Sequence, residues 1–143
     1  MGVRVKLRVS LGSRVSEVIA LANTGFETDE PQLLVPHPLL VRSGVDLAGL
    51  GRPITLEYDT AGGPTVMHVY PRACRVEVVE PDRASREVEA DLVVSLLERE
   101  VLMSDALIGE LGLVIINPKA GLWRFYDDPE GTIRRSYKPQ LWY

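Results

Sequence analysis

The chain has 143 residues, 45% of them hydrophobic and 25% charged, a balance that fits one folded domain and excludes disorder as its main state. The net charge is −4 and the 16 basic residues are scattered, so no nucleic-acid surface is expected. A single cysteine, Cys74, excludes an internal disulfide and any multi-cysteine zinc site.

Apolar runs such as Val18–Ala22 and Leu111–Ile116 are far short of the ~20 residues of a membrane-spanning helix, so no membrane partner is expected. The opening MGVRVKLRV alternates cations with apolar residues and lacks the core of a signal peptide, which points to a soluble, cytoplasmic protein. Arginine outnumbers lysine 13 to 3, and asparagine and glutamine occur twice each. Scarce amides fit either a thermophilic source or a genome base composition, and they make each asparagine conspicuous.

Along the chain, Val3, Val5, Leu7 and Val9 alternate with Arg4, Lys6 and Arg8, the period of a half-buried strand. A turn at Leu11-Gly12-Ser13 leads into an apolar, β-branched strand over Val15–Ala22, forming a hairpin. Residues 23–30 are a loop, Gln32–Val35 a short strand, and Pro38–Ser43 one helical turn stopped by Gly44. Pro53–Thr60 and Pro64–Tyr70 flank Ala61-Gly62-Gly63, a second hairpin whose glycine tip tolerates several backbone basins. Ala73–Val79 and Glu87–Leu97 read as further strands. Ser104 is a good N-cap for a short helix over Asp105–Leu111, with Gly112 beyond its end. Leu113–Ile116 and Leu122–Tyr126 are the last strands, and residues 127–143 form a polar, then aromatic, tail. Many short strands joined by turns, with one firm helix in the C-terminal half, predict an all-β protein: a small barrel, closed or partly open, or a sandwich.

Few residues suggest chemistry. His37 and His68 are distant in sequence with no partner at metal-ligand spacing, and Cys74 within a strand reads as an inert buried thiol. No metal or cofactor is expected. The informative segment is Ala20-Leu21-Ala22-Asn23-Thr24-Gly25-Phe26, an apolar strand running into a small polar turn. Its context includes the glycine-tipped hairpin at Thr60, Ala61, Gly62 and Gly63. Downstream, Val101-Leu102-Met103-Ser104 precedes a helix ending in Leu111-Gly112-Leu113.

In that order these segments resemble the retropepsin-like, retroviral-type aspartic proteases. In that family a strand ends in Asp-Thr-Gly, a flap hairpin follows, and two apolar residues and a glycine lead into a short helix. The resemblance covers roughly residues 3–126, making residues 1–126 the domain and 127–143 a tail at a dimer contact. It implies a β-barrel homodimer whose cleft holds an extended peptide or unfolded protein. Asn23, Thr24 and Gly25 would stand at the catalytic position, Thr24 bracing the paired loops. Phe26, Glu27 and the Thr60–Gly63 flap would face substrate. Ser104 replaces the glycine of the second hallmark if the helix is registered on Leu111-Gly112-Leu113; Gly109 would supply it in the other register.

The larger departure is Asn23 where the family has its catalytic aspartate. The family's reaction needs two carboxylates sharing a proton, one as base and one as acid. An amide binds water but cannot take its proton near neutral pH. The sequence as written therefore predicts an inactive member of a hydrolase family. Asn23 could be native to a pseudo-protease, an introduced Asp→Asn change, or a deamidation site slowed by the β-branched Thr24. The alternative function is a non-enzymatic peptide-binding or barrel scaffold module.

Overall fold

The alternation at the N-terminus becomes strand β1, Arg4–Leu11, with Val5, Leu7, Val9 and Leu11 buried and Arg4, Lys6 and Arg8 on the opposite face. It turns at Gly12-Ser13 into β2, Arg14–Ala22, and the two pair in register from Leu11↔Arg14 to Arg4↔Leu21. The computed structural model describes residues 2–143.

The remaining elements follow as β3 (Gln32–Pro36), α1 (His37–Arg42), a 3₁₀ turn (Leu47–Leu50), β4 (Ile54–Thr60), β5 (Gly63–Val78), β6 (Val88–Ser95), β7 (Val101–Met103), α2 (Asp105–Glu110), β8 (Leu113–Asn117), β9 (Leu122–Phe125) and β10 (Arg134–Arg135). Strands take up 49% of the chain and helices 11%, so the fold is all-β. The hydrogen-bonded order β1-β2-β7-β3-β6-β5 closes on itself through β5 and β1, giving a six-stranded barrel. β2 with β7 and β3 with β6 are parallel, and the other barrel pairs are antiparallel.

Among the described residues two α-helices form, whereas only the second was a firm expectation from sequence. In α1, Pro38 lies in the first turn, where its missing N–H costs nothing, and Leu39 and Leu40 are buried. In α2 the Ser104 hydroxyl accepts from the Leu107 N–H, which fixes Ser104 as the cap. Gly112 follows at φ 75°, and a Cβ there would lie 2.7 Å from the Tyr126 ring.

The strands expected at Pro64–Tyr70 and Ala73–Val79 are one long strand, β5. Its register against β6 shifts between Tyr70 and Cys74, around Pro71, which has no N–H to donate. Arg72 in this bulge has φ 52°, and its N–H donates to Asp91 Oδ1 at 2.9 Å. The main core cluster joins aliphatic side chains of the barrel strands and helices with Trp123 and Phe125 of β9. Cys74 is buried there, which pushes its thiol pKa up.

Residues 127–143 lie along their own barrel. Tyr137 N–H donates to Arg4 O, Gln140 Oε1 accepts from Ile19 N–H, and Trp142 N–H donates to Arg99 O. Arg134 donates to both carboxylates of Asp82 and Asp128 at 2.7–2.9 Å and stacks over Phe125, its side chain only 10% exposed. No helix among the described residues is long and apolar enough to cross a membrane.

Candidate functional site

The adjacent strands β3, β6 and β7 each carry an apolar triplet: Leu33-Leu34-Val35, Leu92-Val93-Val94 and Val101-Leu102-Met103. Alternation sends the outer members of each into the barrel and the middle member out through its wall. Leu34, Val93 and Leu102 therefore meet on the barrel's outer face. Met67 and Val69 of β5 join them, and Phe26 and Tyr58 pack at the edge. From this second apolar cluster Leu34, Met67 and Leu102 form the floor of a cleft of about 700 Å³, with Phe26 and Tyr58 at its edge.

β7 lies between β2 and β3, which are neighbours in sequence, so the ends of β2 and β7 run side by side. The turn after β2 is tied down by this arrangement. Asn23 N–H donates to Met103 O at 3.2 Å, Phe26 N–H to Asn23 O at 3.0 Å, and Asp105 N–H to Phe26 O at 2.8 Å. The Asn23 Oδ1 accepts from Gly25 N–H at 3.1 Å, a side chain closing its own turn. Asp105 Oδ1 holds the next segment by accepting Thr28 N–H at 2.9 Å.

The β4–β5 hairpin covers the floor. Its two-residue turn is Ala61-Gly62, with Thr60 opposite Gly63 in register and the Thr60 hydroxyl donating to Gly63 O at 2.6 Å. β4 pairs with β5 alone and is mostly exposed, as a projecting arm must be. One side chain latches it. Tyr58 lies edge-on to Phe26 at 6.1 Å, and its hydroxyl donates to Gln32 Oε1 at 2.8 Å. Gln32 Nε2 donates onward to Asp91 Oδ2 at 3.2 Å. Desolvation is the main cause of a raised Tyr58 pKa, so the phenol stays a donor through neutral pH.

Of the residues expected at the site, Asn23, Gly25, Phe26, Glu27, Thr60 and Ala61 line this one cleft. Thr24 is exposed beside it, and Gly62 and Gly63 belong to the hairpin turn without lining the cavity. Sequence reasoning missed the floor and the latch. The central residue of each apolar triplet was the available signal, because a run without polar alternation marks a strand covered on both faces. It also missed that His37 and His68 line one neighbouring cavity of about 520 Å³.

The turn at Asn23 can accept and donate hydrogen bonds but holds no ionisable group of its own. No family model matches the chain, and no curated protein matches it.

Proposed function

We propose that the chain is a retropepsin-like protein that holds an extended peptide in the cleft beneath the β4–β5 hairpin without hydrolysing it. The observation that carries this reading is the convergence of the Asn23–Gly25 turn, the apolar floor and the hairpin tip on one cavity. An extended peptide matches such a site, because its backbone can pair with strand edges while alternate side chains enter the floor. Asn23 in place of a carboxylate removes the base that would activate water.

On this reading two copies associate about a twofold axis beside Asn23, each contributing half of the cleft. Support comes from the open edge of β8 in its three-stranded sheet and from the exposed apolar Ile116 upon it. The test is a titration of the ¹⁵N-labelled protein with extended apolar peptides. Shifts confined to the Asn23 turn, the floor strands and the hairpin, with intact peptide recovered, are expected. Shifts elsewhere, or none, overturn the reading, and robust cleavage overturns its non-hydrolytic part.

A further inference from the structure

The charge around the cleft is one-sided. Glu27 from the loop after β2, Glu57 and Asp59 from β4, and Glu98 from the loop after β6 all line it, and no Lys or Arg does. The four come from three separate segments, so their convergence is a property of the fold. Some carboxylates elsewhere are paired, as Glu77 is with Arg8, Glu100 with Arg4 and Asp128 with Arg134, while among the described residues others such as Glu17, Asp46 and Glu130 stand singly; what marks the cleft is that four acids gather there without a cation. Among the described residues, none of the four cleft carboxylates is in an ion pair.

The nearest cation in sequence to Glu98 is engaged elsewhere. Arg99 lies over the Tyr143 ring at 4.6 Å, while its carbonyl accepts from Trp142 N–H at 2.7 Å. The cleft thus combines an apolar floor, which demands a ligand with apolar side chains, and an unneutralised acidic rim above it.

We infer that the occupant of the cleft is an extended peptide carrying arginine or lysine among apolar side chains, its cation drawn by the acidic residues that line the cleft, Glu27, Glu57, Asp59 and Glu98. This rests on the peptide-binding reading and adds the substrate class to it. Charge complementarity selects between peptides of equal apolar content: a rim of one sign attracts the opposite charge and repels its own. An acidic peptide would bring like charges together beside a low-dielectric floor, where repulsion is poorly screened.

The experiment compares three labelled versions of one extended apolar peptide, with Arg, Gln or Glu at the central position, by fluorescence anisotropy against the full chain. Binding should weaken in the order Arg, Gln, Glu, with Arg ahead of Gln by about fivefold and the gap narrowing at high salt. The Glu57→Gln/Asp59→Asn double variant and Glu98→Gln should each shrink the gap. Glu130→Gln, in the turn before β10, should leave it unchanged. Equal binding of the Arg and Gln peptides overturns the charge preference and leaves the peptide cleft standing. Failure of all three to bind overturns both. A preference that survives the rim variants and falls with Glu130→Gln belongs to the general surface charge and also overturns the inference.

Discussion

The hydroxyl of Tyr58 donates to Oε1 of Gln32 at 2.8 Å, joining the middle of the projecting hairpin to a buried side chain of the barrel wall. The same amide donates to Asp91, whose other oxygen receives the Arg72 N–H from the β5 bulge. A hairpin two strands wide is marginal alone, so its position depends on such ties.

Removing that hydroxyl should loosen the hairpin without unfolding the barrel. Tyr58→Phe keeps the ring against Phe26 and loses one hydrogen bond, a change of about 1 kcal/mol. Hydrogen exchange should accelerate across β4 and the adjoining half of β5, while protection in β1, β3 and β6 stays as in the parent. Unchanged exchange in β4 would show that apolar contacts alone hold the hairpin.

Ser104 bears a different kind of load. Its fully buried hydroxyl accepts both Gln32 N–H at 3.0 Å and Leu107 N–H at 3.3 Å, capping α2 and stitching it to β3. Ser104→Ala should cost about 1–3 kcal/mol, since it removes a cap and leaves a buried donor unsatisfied. Urea unfolding measures it; a loss below about 0.5 kcal/mol would mean the site relaxes to rescue both donors.

The C-terminal segment makes stability sensitive to acid. Hydrogen bonds from Arg134 are the main cause holding Asp128 at about 2, below its usual value of 3.8. A carboxylate depressed in the folded state stabilises the protein above its unfolded pKa, and that contribution is lost as the pH falls through the folded value. Stability should therefore be level above about pH 4 in this respect and decline from there towards about pH 2. Asp128→Asn should flatten this part of the profile and lower stability near neutrality. A parallel profile in parent and variant would assign the acid sensitivity to other groups.

The parts of this structure legible in the residues are those set by local rules. Alternation located β1, the glycine tip located the hairpin, and Ser104 announced α2 by its capping chemistry. β7 was hidden because three residues carry no period, and its position between β2 and β3 is decided only by the barrel. The Asn23 turn stood out from its small polar residues after an apolar strand. The floor beneath it did not, because Leu34 and Leu102 resemble ordinary core residues until the wall acquires two faces. The tail looked separable because its anchoring groups, Tyr137, Gln140 and Arg134, pair with residues more than fifty positions away or with a local turn.

The sharpest test of the proposed function is Asn23→Asp. The turn already presents Oδ1 to the Gly25 N–H at 3.1 Å, a bond a carboxylate oxygen accepts equally well, so the exchange preserves shape. In the proposed dimer two carboxylates would then face each other across the twofold axis. Mutual repulsion raises one pKa above the other, creating an acid and a base at the same pH. New proteolysis of an unfolded protein is expected, bell-shaped in pH with an acidic optimum and at least ~10²-fold above the parent. The variant dimer should also dissociate more readily near neutrality than the parent, because both carboxylates then ionise and repel. Sedimentation and a peptide-cleavage assay across pH read these outcomes together. A variant that is monomeric, or dimeric with neither cleavage nor a new titration, would show that Asn23 does not meet its symmetry mate and would remove the ground for the retropepsin-like reading.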